Sequence, residues 1–134
     1  MATASPTASL TAITEAATDG IGGTEPDPMW LPLVATPSHP EYAAGHPGQN
    51  GAAATVLLSY FDDAQTFNLT TRTSMGDLPP RTYTSISQAR ADGNNARVWG
   101  GMHYPSTVAI SDGVGSAIAT YVNGHSMRLL RLKE

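Results

Sequence analysis

Two short stretches of this chain carry residue types able to hold and process an oxyanion: His39-Pro40-Glu41-Tyr42-Ala43-Ala44-Gly45-His46 and Ala96-Arg97-Val98-Trp99-Gly100-Gly101-Met102-His103. Gly45 puts no side chain beside its own backbone, so its N–H can approach a ligand closely and donate to it. His46 follows directly and opens the path into a helix read over Asn50 to Phe61, whose first N–H groups and positive dipole end favour an anion. An imidazole at that place works as a general acid or base near neutral pH. The alternative reading makes Gly45-His46-Pro47-Gly48 an ordinary turn.

Arg97 and His103 supply the complementary chemistry. A guanidinium is a planar fork matched to tetrahedral oxyanions, and an imidazole nitrogen can bond to phosphorus or coordinate a transition metal. On an unbroken helix six residues advance about 9 Å and leave the two side chains roughly 120° apart. Convergence therefore requires the helix to break at Gly100-Gly101. The alternative here is a surface salt bridge for Arg97 and a packed position beside Trp99 and Tyr104 for His103.

These residues must be positioned by a small set of elements. Ser9 to Ala17 places Leu10, Ile13, Ala16 and Ala17 at helical spacing, with Ser9 as N-cap and Gly20 as stop. Ile21 to Pro40 holds Gly22, Gly23 and five prolines, which predicts an extended surface connection. Asn50 to Phe61 is apolar nearly all round, as in a core helix buried on several sides. Thr66 to Thr73 alternates and suits a strand or hairpin arm. Thr82 to Trp99 reads as a helix, and Thr107 to Asn123 as another, closed by Asn123-Gly124. The expected fold is mainly α, a partial helical bundle with a short β-hairpin.

Composition bounds the function. A chain of 134 residues corresponds to one domain, taken as residues 1–134. The net charge of −4 with only seven basic residues, which form no stripe, argues against a nucleic-acid binder. Zero cysteines remove disulfides, thiol catalysis and thiolate metal sites. No apolar run reaches the 18 to 20 residues that a membrane span needs, and Met1 to Leu10 lacks the basic and apolar regions of a signal peptide, so a soluble protein of unassigned compartment is expected. His39 reads as a turn residue, His125 as a helix-end residue meeting carbonyls, and Asp62-Asp63 as a solvated helix end. Met127 to Lys133 alternates basic and apolar residues and reads as a packing segment.

The order of these motifs resembles the superfamily of vanadium-dependent haloperoxidases and type 2 phosphatidic acid phosphatases, in particular the C-terminal part of its soluble haloperoxidase-like branch. The resemblance runs through Thr11-Ala12-Ile13, Pro28-Met29-Trp30-Leu31-Pro32-Leu33, Thr36-Pro37, His39-Pro40-Glu41-Tyr42, Arg97 to Tyr104 and Asp112-Gly113. It implies a helical bundle of the acid phosphatase and haloperoxidase type and vanadate as cofactor, with phosphate as the related oxyanion. It further implies that His103 binds the metal at the apical position, that His46 is the acid-base partner, and that Arg97 with the Gly45 N–H holds equatorial oxygens. In a phosphatase relative, His103 would be the nucleophile and His46 would protonate the leaving group.

The chain departs from the family pattern at several positions. Ala44 and Ala96 stand where serines are usual, Pro47 follows the histidine, Ser9-Leu10 occupies the place of an Arg-Pro pair, and the only lysine is Lys133. Charged hydrogen bonds contribute about 1.5 to 3 kcal/mol each, so these losses weaken anion binding by several kcal/mol. The family's upstream helices have no counterpart here, which predicts self-association or a partner chain supplying them. Three functions fit the sequence: an enzyme that oxidises halide or hydrolyses phosphate esters, a binding module that keeps the anion without turnover, and a structural remnant with packed histidines.

Overall fold

The structure, a computed structural model, describes residues 18, 20, 22–23, 25–31, 37, 40–73 and 76–126. The expected helix at Ser9 to Ala17, His39 and the Met127 to Lys133 tail lie outside the described residues. Three helices carry the architecture: α1 at Gly45–Tyr60, α2 at Ile86–Trp99 and α3 at Pro105–His125. Four short strands separate α1 from α2: β1 at Phe67–Leu69, β2 at Arg72–Thr73, β3 at Gly76–Asp77 and β4 at Arg81–Tyr83. The mainly α fold expected from the sequence is the fold observed.

Helix α1 begins five residues earlier than the Asn50 start read from the sequence, so His46 sits inside its first turn. The reason is local. Pro47 falls in that turn, where a missing N–H costs nothing and the fixed φ already suits the helix. The expectation that this helix is buried on several sides is corrected as well. Its buried residues are Pro47, Gly51 and Ala54, whereas Leu57 and Tyr60 are exposed.

Thr66 to Thr73 is two strands rather than one arm. Strand β1 pairs antiparallel with β4, Phe67 facing Tyr83, and β2 pairs with β3, Arg72 facing Asp77. Both ladders belong to one hairpin whose register slips by one residue between them, where Pro79 and Pro80 have no N–H to donate. The stacked rings of Phe67 and Tyr83, 5.7 Å apart, hold its open end.

Thr82 belongs to β4, so the helix expected from that residue begins only at Ile86. Ser85 explains the boundary. Its side chain accepts from Gln88 N at 2.9 Å, and Gln88 Oε1 in turn accepts from Thr84 N, a variant of the Ser-x-x-Gln capping box. Asp63, read from sequence as a solvated end, also secures this start by accepting from Ser87 N at 2.8 Å. Helix α3 likewise starts earlier than Thr107, at Pro105, a residue suited to the first helical position. It runs through Asn123-Gly124 rather than stopping there, and it ends at His125, which donates to Tyr121 O at 2.7 Å.

The packing of α1 on α3 is set by glycines. A Cβ built at Gly115 would lie on the carbonyl of Gly48, and one at Gly51 on the carbonyl of Asp112. Without side chains at these crossings the two backbones meet directly, and Ser116 Oγ reaches Gly51 O at 3.3 Å. A polar network ties α2 into the same junction. Arg90 donates to Asp112 through Nε at 2.8 Å and through its second nitrogen at 2.5 Å, Asn94 donates to Asp112 Oδ1 at 2.9 Å, and Asn50 of α1 donates to Asn94 at 3.0 Å.

Of the extended connection, the described parts form turns and mostly exposed coil. Asp27 closes one of them by accepting from Met29 N through its side chain and from Trp30 N through its carbonyl.

Candidate oxyanion site

The two motifs meet although 49 residues lie between them. A cavity of about 460 Å³ is lined by Gly45, His46 and His103 together with Pro40, Tyr42, Ala43 and Gln49. His46 is exposed at this cavity, while His103 is buried, with 3% of its surface accessible. Gly45 and His46 precede Gly48, whose N–H makes the first intrahelical bond, to Ala44 O. Their own N–H groups therefore lie outside the helical ladder, at the positive end of the α1 dipole.

Ala44 provides no side-chain cap, and the loop is anchored instead from α3. The buried Ala44 N–H donates to Ser111 Oγ at 2.9 Å. Serine is absent at position 44, yet a serine hydroxyl is still present beside the motif, contributed by another helix. No local signal in the sequence pointed to Ser111.

The imidazole of His103 is oriented by the first motif. Its Nδ1 lies 2.5 Å from Glu41 O. A carbonyl can only accept, so Nδ1 carries the proton and Nε2 is the basic nitrogen. This is the tautomer an imidazole needs in order to offer Nε2 as ligand or nucleophile. Glu41 then turns its carboxylate to the start of α3, accepting from Tyr104 N at 2.8 Å and from Thr107 Oγ1 at 3.0 Å. Burial, and after it the charge of Glu41, raises the Tyr104 phenol above its ordinary pKa. In the sequence Glu41 was only one letter of the first motif, with no role of its own.

Arg97 comes from the end of α2. It occupies the last turn of α2, is half-buried, and is not among the residues lining the cavity. Burial lowers its pKa below the usual guanidinium value. The helix does break where the spacing required, with Gly100 as C-cap and Gly101 at φ 71, a conformation that glycine adopts without strain. Met102 N donates back to Arg97 O at 3.0 Å, which fixes the turn between the arginine and His103.

A second, apolar cavity of about 450 Å³ adjoins the first and shares Tyr42, Ala43, Gly45 and Gln49 with it. Its other wall is Ile110, Val114 and Ile118, a stripe of α3 at four-residue spacing that is more than half exposed. Among the described residues no three His, Asp or Glu side chains converge as a metal cage, and no helix is long and apolar enough to cross a membrane. A ligand held by one histidine and backbone donors needs no such cage.

Comparison with known proteins identifies the family of this fold. Residues 9–132 match the VCPO second helical-bundle domain, and the chain belongs to that family. Its fold is similar to a structure described as the first bacterial vanadium-dependent iodoperoxidase, with 35% identity and a TM-score of 0.66 over 73% of this chain and 24% of that one. It is also similar to the holo and apo forms of a bacterial vanadium-dependent chloroperoxidase, with 21% and 20% identity and TM-scores of 0.62 and 0.63. In both, 86% of this chain and 29% of the other are covered. The chain thus spans roughly a quarter of the length of these structures. No curated protein sequence matches it.

Proposed function

We propose that this chain binds a tetrahedral oxyanion, vanadate in the haloperoxidase manner, in the cavity formed by Gly45, His46 and His103. The observation that carries the proposal is the bond from His103 Nδ1–H to Glu41 O, which makes Nε2 the basic nitrogen in a cavity that also holds the first turn of α1. The residues fit the group. His103 is the candidate ligand, and the Gly45 and His46 N–H groups are candidate donors to its oxygens. His46, exposed at the cavity, is the candidate acid-base group. Arg97, held directly before the glycine break that leads to His103, is the candidate partner for the anion's charge. Bound vanadate would supply Lewis-acid activation of peroxide toward halide oxidation. In the same reading, the exposed face of Ile110, Val114 and Ile118 packs against helices from a second copy or from a longer protein.

Calorimetric titration of orthovanadate and phosphate, with a halide and peroxide assay on the same samples, tests the proposal. His103→Ala is expected to weaken vanadate binding at least about a hundredfold, roughly 2.7 kcal/mol, and to remove halide oxidation. Arg97→Ala is expected to weaken binding about tenfold. Equal affinity in His103→Ala and the parent protein would rule the site out. Turnover of a phosphate ester without halide oxidation would assign the same residues to phosphatase chemistry.

A further inference from the structure

We propose that Glu41 is a positioning residue for His103, acting through its backbone carbonyl and its carboxylate together. The inference rests on the reading of His103 as the anion's ligand.

Three bonds converge on this one residue from a segment more than sixty positions away. Glu41 O accepts from His103 Nδ1, Oε1 from Tyr104 N, and Oε2 from Thr107 Oγ1. Tyr104 is the N-cap of α3 and makes no side-chain cap bond of its own, while the Glu41 carboxylate holds the backbone N–H of that residue and the hydroxyl of Thr107 in the first turn. A negative charge there also meets the positive end of the α3 dipole. The clamp fixes where the loop's carbonyl stands, and that carbonyl selects the proton position on the buried ring. On the other side of His103 the backbone is held by the bond from Met102 N to Arg97 O. A ring turned over by 180° would face Glu41 O with a C–H and leave a carbonyl without its donor, at a cost of about 1–3 kcal/mol. The carboxylate, acting through the loop carbonyl, thereby decides which nitrogen faces the anion.

Conservative variants separate position from charge. In Glu41→Gln the amide oxygen can still accept from Tyr104 N while the amide N–H₂ donates to Thr107 Oγ1, so the clamp survives without its charge. In Glu41→Ala both arms are lost, and in Glu41→Asp the side chain is one methylene too short to keep both.

The test uses the whole chain and reads the imidazole ¹⁵N shifts of His103 by NMR, about two pH units above the ordinary histidine value of about 6.5, with orthovanadate affinity measured on the same samples. The parent protein and Glu41→Gln are expected to show a single Nδ1–H tautomer. Glu41→Ala and Glu41→Asp are expected to show a mixture of tautomers, with vanadate affinity reduced about 10- to 100-fold. Should Glu41→Ala not fold, Glu41→Asp carries the comparison. A single Nδ1–H tautomer in folded Glu41→Ala or Glu41→Asp would overturn the proposal, as would an Nε2–H tautomer in the parent protein. Tautomer loss with no vanadate binding by any form would uphold the positioning role and overturn the oxyanion site instead.

Discussion

Gly115→Ala is expected to destabilise the protein by about 4 kcal/mol or more. The added methyl would lie on the Gly48 carbonyl, with the Gly48 carbonyl carbon itself only 2.7 Å away. Both are backbone atoms inside α1, so no side chain can turn aside, and relief requires the helices to separate. That separation would also stretch the Ser116 bond to Gly51 O and the Ala44 bond to Ser111. Overpacking of this kind exceeds the usual 1–3 kcal/mol, and about 4 kcal/mol or more is expected against a total stability of about 5–15 kcal/mol. Gly113→Ala, two residues away on the same helix, has nothing within 4 Å of the new Cβ. It should stabilise the protein by about 0.5–1 kcal/mol through helix propensity. Urea melts followed by circular dichroism compare the two. A Gly115→Ala protein that melts cooperatively near the parent would show that α1 and α3 do not cross at these glycines.

Asp112→Asn is expected to be the next most damaging change, by about 2–3 kcal/mol at neutral pH. Its carboxylate joins Arg90 and Asn94 of α2 to α3, and removing the charge leaves Arg90 partly buried without its counter-ion. Breaking a fully buried pair costs about 3–5 kcal/mol, and the residual exposure of 25% and 18% on the two side chains lowers that figure. Burial alone would raise the Asp112 pKa, but the hydrogen bonds from Arg90 and Asn94 and the Arg90 charge outweigh it and hold the carboxyl below its ordinary 3.8. The same contact, ahead of the opposing effect of burial, raises the Arg90 pKa. A depressed carboxyl pKa stabilises the fold fully above the ordinary aspartate value and loses that contribution as pH falls through the folded value. The stability gap between parent and Asp112→Asn should therefore be widest at neutral pH and close below about pH 4. A gap that stays constant from neutral pH to about pH 2 would refute the ion pair as its source.

The elements were legible where the signal is local. The break at Gly100-Gly101, the helical character of α1, α2 and α3, and the hairpin each follow from propensity and turn chemistry within a few residues. The boundaries were less so. Ser85 and Gln88 carry a capping box and Pro105 a first-turn proline, and the starts read at Thr82 and Thr107 used neither. The apolar surround of α1 suggested burial on several sides, yet only the face of Pro47, Gly51 and Ala54 is covered, because α3 approaches there too closely for larger residues.

By itself, the sequence determined which groups could meet an oxyanion: Gly45 for an unobstructed N–H, His46 and His103 for imidazole chemistry, Arg97 for charge, and a glycine pair to turn the chain between the last two. Residue type and short spacing decide such things, because they depend on neighbours along the chain. Only the tertiary structure decided that Gly45, His46 and His103 line one cavity. Only it showed that Ser111 anchors the loop, that Glu41 O meets His103 Nδ1, and that Arg90 and Asp112 lock α2 to α3. Each of these contacts joins residues at least twenty positions apart. The Ala44 to Ser111 contact exists because α1 and α3 meet backbone to backbone at Gly48, Gly51 and Gly115, and three glycines among thirteen carry no local mark of the role they share.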